Sequence, residues 1–182
     1  MTLTAPHTMT RLSIPTGIGF DEFRRRFEQA APLFDAAATV RITERGGTWD
    51  DVRAAIAAQA PNGLLIFHTI DATPLMAAAG HRTKVVEYLL GNHVTAEKMF
   101  QHDHTALLYA PLRILISGDD SDMAVFTIDQ PSTVFGGIGI QEVAEVGVQL
   151  DRDVAGLLQE IGVEPPSELT DSVASSSSSS SS

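Results

Sequence analysis

Cysteine is absent from the 182-residue chain. That removes thiolate nucleophiles, cysteine-ligated zinc and iron–sulfur clusters at once, and it leaves no disulfide framework to hold a fold together. It also fits a cytosolic setting. Cationic side chains are scarce: 12 Lys and Arg stand against 23 Asp and Glu, a formal charge of −11. A field of that sign repels nucleic acid, and no basic stripe offsets it. The one basic run, Arg24-Arg25-Arg26, is flanked by Asp21, Glu22 and Glu28 and reads as a solvated helix face. Long hydrophobic runs are missing too. The stretch at 64–67 is typical of the longest and is far too short to span a bilayer. The opening residues MTLTAPHTMTRLSIP lack the basic and apolar regions of a secretory signal. Together these absences predict a cytoplasmic protein with no nucleic-acid and no membrane partner.

Hydrophobic residues make up 43% of the chain, enough for a core without covalent staples. Residues 1–9 read as a flexible arm. Arg11 to Ile14 is strand-like, stopped by Pro15 and the Gly17/Gly19 pair. Phe20, Phe23, Phe27, Ala30 and Ala31 recur at helical spacing behind Asp21 and Glu22, which suit the positive end of a helix. Val40-Arg41-Ile42 is too short to assign. Thr48 followed by Asp51 is a capping-box start, with Trp49, Val52 and Ile56 as the expected buried stripe. Residues 64–70 and 84–90 have strand character, and 71–80 reads as a loop with a short helical turn. A helix opens at Asn92. Two strands, 112–116 and 123–128, flank the acidic loop 117–122, and Gly136, Gly137 and Gly139 mark a flexible link. Val143, Val146, Leu150, Val154, Leu157 and Ile161 then form the cleanest amphipathic helix, ended by Gly162. The acidic segment from 164 and its eight closing serines read as a disordered tail, 164–182.

This order predicts a single α+β domain over 10–163, a two-layer sandwich of a mixed or antiparallel sheet with helices packed on one face. Such a sheet leaves a second face open. The strands at 64–70 and 112–116 look apolar on both faces, so a homodimer is expected to cover it.

Three features carry a family resemblance: Leu90-Gly91-Asn92 with the helix after it, Ala110-Pro111-Leu112-Arg113 leading a strand hairpin, and Pro131 closing that hairpin. The pattern resembles the bacterial and archaeal "domain of unknown function 302" family over roughly residues 10–162. The resemblance implies a small two-layer α+β domain that tends to dimerise, and it implies no activity. One departure stands out. The family places proline directly after Gly-Asn, and this chain has His93. Proline suits the first helical position because its fixed φ and missing N–H cost nothing there. Histidine gives that up, and the helix N-terminus favours its neutral form, which can ligate a metal or act as a base.

The other histidines are weighed against packing roles. His7 lies in the arm, and His81 follows Gly80 in a loop. His102-Asp103-His104 resembles a metal clip, but adjacent helical residues diverge by about 100°, so a solvated helix end is the plainer reading. His68 alternates with Leu64, Ile66 and Ile70 and should share their face, first as a satisfied core histidine and second as a pocket ligand beside His93. The loop Asp119-Asp120-Ser121-Asp122 lacks the terminal Glu of a calcium loop. No phosphate loop, dinucleotide fingerprint or serine-hydrolase elbow occurs. Two readings of function remain. One is a dimeric domain that binds a small ligand or partner in an apolar pocket. The other is a haem- or metal-dependent enzyme with a neutral histidine ligand, His93 and then His68; His102 and His104 are the remaining metal candidates.

Overall fold

The computed structural model describes residue 2 and residues 4–172. It opens on β1 (Arg11–Gly19), α1 (Phe20–Ala30), α2 (Ala36–Glu44), α3 (Trp49–Gln59) and β2 (Leu65–Asp71). Next come α4 (Thr73–Ala78), β3 (Val85–Gly91), α5 (His93–Phe100), a 3₁₀ turn (His104–Leu108), β4 (Leu112–Gly118) and β5 (Met123–Asp129). It closes on α6 (Pro131–Gly136), α7 (Gln141–Ile161) and α8 (Ser167–Thr170). The five strands form one antiparallel sheet in the order β1-β5-β4-β3-β2. The expected α+β class is what the chain adopts.

The strand alternation sorts residues cleanly. One face carries Leu12, Ile128, Ile114 and Tyr88 in one row, and Ile14, Phe126, Ile116 and Val86 in the next; all are buried. Phe23 and Phe27 of α1 and Leu150, Val154 and Leu157 of α7 join this face in a single core. The Phe27 ring lies 4.9 Å from Tyr88 and 6.2 Å from Phe126. Buried Tyr88 still satisfies its hydroxyl, which donates to Glu28 at 2.7 Å. Glu28 in turn accepts from Arg24, which also reaches Asp71. Arg25 and Arg26 both pair with Glu22. The arginine run is therefore neutralised along its own helix.

The opposite face differs from expectation. β4 turns Arg113, Leu115 and Ser117 to it, and β3 adds Val85, Glu87 and Leu89. Thr127 and Ser13 continue the Leu115 row. A mixed face of this kind replaces the doubly apolar strands read from sequence, because Arg113 and Ser117 flank Leu115 on β4 and Glu87 stands opposite it on β3.

Several elements also depart from the sequence reading. β1 runs through Pro15 to Gly19, because an edge strand tolerates proline and the register slips between those two residues. The unassigned residues around Val40 belong to α2, whose Asp35 cap accepts from the Ala38 amide. α3 starts on the predicted capping box: Thr48 Oγ1 accepts from Asp51 N at 3.3 Å, and Asp51 Oδ2 accepts from Thr48 N at 2.7 Å. Val52 and Ile56 are buried as expected, with Leu65, but Trp49 is 40% exposed and stands outside the stripe. Thr48→Ala should cost about 1 kcal/mol, read as a lower midpoint in urea unfolding with unchanged slope.

The chain past Val163, expected to lack structure, is ordered as far as Ser172. Val163 and Leu169 are buried in the main core, and Ser172 donates to the Asp151 carboxylate. Residues 173–182 of the expected tail lie outside the described residues. At the other end, the arm is anchored: Thr10 N donates to Thr133 Oγ1 at 3.0 Å, and the His7 ring lies 5.3 Å from Tyr109.

Candidate functional site

Where β3 meets α5, two residues do separate jobs. Asn92 caps α5 by accepting from Val94 N at 2.8 Å, and its amide donates to the Gly63 carbonyl at 2.9 Å. Gly91 leaves room. A methyl group there would stand 3.2 Å from Phe67 Cε2 and 3.6 Å from Pro111 Cβ. Phe67 and Pro111 can therefore close in from two sides without touching.

Between them lies a cavity of about 180 Å³. Its deep end is formed by Leu90, Met99, Leu112 and Leu150, all buried, and Ala96 and Leu107 form side walls. Gly91, Asn92, Ala110, Pro111 and Leu112, five of the residues that carry the family resemblance, line it. Leu150 is brought in from α7, nearly forty residues further along the chain. No Asp, Glu, Lys or Arg is among the lining residues. The polar side chains there are Asn92, already committed, Thr95 and His93.

His93 is the first residue of α5, in the place where a proline would be ordinary. Its ring stands 4.8 Å from Phe67, nearly perpendicular, and 4.9 Å from Phe34. The residue keeps an exposed edge, so it sits at the lip of the cavity and not inside it. Partial burial against these two rings lowers its pKa below the usual 6.5. The folded value lies below the unfolded one, so His93 contributes stability that is complete above pH 6.5. That contribution is lost as pH falls from there through the folded pKa. A titration of imidazole Cε1–H signals should find His93 with its midpoint below 6.5; a midpoint at or above it would contradict the placement. Among the described residues, no hydrogen bond engages the His93 ring.

His68 does not join it. An extra residue, Phe67, enters β2 between the pairs Ile66↔Leu90 and His68↔Leu89. This bulge reverses the alternation, so Ile66 stays on the core face while His68 shares the open face with Leu89 and is exposed. The expected shared face with Ile66, and a shared pocket with His93, are both corrected by that one residue. His68 is not among the cavity's lining residues.

The His102-Asp103-His104 triplet lies beyond the end of α5. Asp103 caps the 3₁₀ turn, accepting from both the amide and the hydroxyl of Thr105, and both histidines are exposed. In the acidic loop, Asp119 accepts from the amides of Ser121 and Met123, and Asp122 pairs with Lys84. Among the described residues, no three His, Asp or Glu side chains converge as a metal site requires. The donor set around His93 thus fits no metal, and the cavity is far smaller than the pockets of about 300–1,000 Å³ that hold drug-sized ligands, so a porphyrin would lie outside it.

Sequence reasoning reached His93, Asn92, Gly91 and Pro111 but missed Phe34, Phe67, Ala96 and Met99. Ala96 and Met99 carried a usable signal, being three apart on one helix and so on one face. Phe34 carried none.

Fold and cavity together define a small single-sheet α+β domain with an apolar cavity under a helix N-terminus. The family model "Domain of unknown function DUF302" matches residues 39–161, and the chain belongs to that family. A solved relative, the crystal structure of an uncharacterized conserved protein DUF302 from Bacillus stearothermophilus, is 12% identical with a TM-score of 0.60. The match covers 85% of this chain and 99% of that one. No curated protein matches. The family match begins after β1 and α1, yet both complete the same sheet and core. No helix among the described residues is long and apolar enough to cross a membrane.

Proposed function

We propose that this domain is a binding module for a small, largely apolar ligand held in the cavity between β3, α5 and Pro111. The observation that carries the reading is an apolar space of about 180 Å³ with the unpaired His93 imidazole at its lip. An engineered apolar cavity of about 150 Å³ binds benzene, so the space suits a ligand of that size class. Buried walls from α5, α7 and β4 make it a pre-formed site, so little ordering would oppose binding.

The test is a titration of the full chain with benzene, followed on the Ala96 and Met99 methyl signals. Saturable shifts of both are expected in the wild type, and loss of the Met99 shift in Ala96→Phe, whose ring fills the space. A Met99 shift that persists unchanged in Ala96→Phe would place binding elsewhere and end the proposal.

The enzyme reading, with haem or a divalent metal on His93 or His68, has less to support it, since the two histidines lie on different faces. A dimer through the open sheet face would bury Leu115, Leu89 and Ile70 beside Glu87 and Arg113. Light scattering that finds a monomer at micromolar concentration would remove it.

A further inference from the structure

Resting on the cavity reading above, we infer that the site selects a neutral monocyclic aromatic bearing a single hydroxyl, a phenol-type ligand, whose ring fills the cavity and whose hydroxyl bonds to the His93 imidazole. Volume sets the first limit. At about 180 Å³ the cavity is slightly larger than one that takes benzene, so one ring and one or two further heavy atoms fit. Shape supports a ring, since Gly91 projects no side chain between Phe67 and Pro111, and the Phe67 ring and Met99 offer aromatic and thioether contacts.

Charge sets the second limit. A carboxylate or phosphate would enter without a cation, because no Lys or Arg lines the cavity. An ammonium would enter without a carboxylate, for the same reason. Burying either unpaired costs far more than an apolar ring gains. A phenol, with a pKa near that of tyrosine, stays neutral at pH 7.

Polarity sets the third. Asn92 spends its side chain on the Val94 amide and the Gly63 carbonyl. Among the described residues, His93 makes no hydrogen bond, and a neutral imidazole offers one donor and one acceptor. One hydroxyl matches that imidazole at the lip; Thr95 is the remaining polar side chain of the lining, and a preference for phenol that survives loss of His93 would point to it. A second polar group on the ligand would face Leu90, Leu112 and Leu150 in the deep end.

The experiment titrates the full chain at pH 7.5 with phenol, toluene and benzoate, each read on the Ala96 and Met99 methyls and on the His93 ring signals. Toluene matches phenol in heavy atoms and lacks the hydroxyl; benzoate adds charge. Phenol should bind about five- to tenfold tighter than toluene, the worth of one neutral hydrogen bond, and benzoate should not bind at the same concentrations. In His93→Phe, which keeps a ring against Phe67 and removes both nitrogens, phenol should fall to the toluene level while toluene is unchanged. His93→Ala should do the same. Equal affinity for phenol and toluene, benzoate binding at the phenol level, or a His93→Phe protein that still prefers phenol would overturn the inference while leaving the cavity reading standing. If neither phenol nor toluene shifts the cavity methyls, the cavity reading itself fails and the inference with it.

Discussion

Asp151→Ala is expected to destabilise the protein by about 3 kcal/mol, lowering its melting temperature by about 6–12 °C for a chain of this size. Asp151 is fully buried on α7 and makes no ion pair among the described residues. Its carboxylate is held by neutral donors. Oδ1 accepts from the Ser132 amide at 3.0 Å, and Oδ2 accepts from Gln130 Nε2 at 3.2 Å and from the Ser172 hydroxyl. The Ser132 amide is among the first of α6 and has no partner within its own helix, so Asp151 does the work of a cap supplied from a distance. Alanine would leave that amide and one of the two Gln130 amide hydrogens without partners, each costing about 1–3 kcal/mol. An apolar replacement of similar volume, Asp151→Leu, should fare no better, since a backbone amide cannot be mutated away. Asp151→Asn should lie between, keeping one acceptor and presenting a donor to Gln130. Thermal unfolding of the three variants checks the order; Asp151→Leu at wild-type stability would show that the carboxylate network contributes nothing. A further readout is local. Gln130 also donates to the Glu168 carbonyl at 2.7 Å, so loss of Asp151 should raise amide exchange in α8 more than in the sheet.

The same substitution at two glycines of α7 should have opposite signs. Gly147 is buried where α6 crosses α7. A Cβ there would stand 3.0 Å from Phe135 Cβ, 3.0 Å from the Pro131 carbonyl oxygen and 3.1 Å from Ser132 Cα. Two of those three atoms are backbone, so α6 would have to move as a unit, and it is tethered by Asp151. Gly147→Ala should therefore cost about 2 kcal/mol net, overpacking outweighing the gain in helix propensity. Gly156 is exposed, and a Cβ there meets nothing within 4 Å. Gly156→Ala should stabilise by about 0.5–1 kcal/mol. Denaturant midpoints of the two variants measured side by side decide it, and two shifts of the same sign would mean that helix propensity, and not the α6 crossing, governs position 147.

These residues show where sequence reading reaches and where it stops. The heptad-like stripe from Val143 to Ile161 was legible and is the core side of α7. Yet Gly147, Val148, Asp151 and Leu158 are buried too, because α6 and α8 wrap a second flank of the helix. Asp151-Arg152-Asp153 looks like solvated surface in any local window. Trp49 looked like core and is not, since α3 turns Val52 and Ile56 toward Leu65, Ile42 and Val94 and leaves Trp49 outside that cluster. The Gly91-Asn92 and Pro111-Leu112 pairs, which carry the family pattern, line the cavity as well.

What the sequence determined by itself was local chemistry: the helix caps at Thr48 and Asn92, the positions of strands β4 and β5, the amphipathic period of α7 and the family pattern. Each depends on residues within a few positions of one another, where periods of 2 and 3.6 and the needs of helix termini dominate. Tertiary structure decided which face His68 takes and what surrounds His93. A single added residue at Phe67 inverts every side chain after it, and no periodicity announces a bulge. The cavity exists only because β2, the β3–α5 junction, Pro111 and Leu150, spread over more than eighty residues, meet at one point. Contact with Phe34 and Phe67 there lowers the pKa of His93.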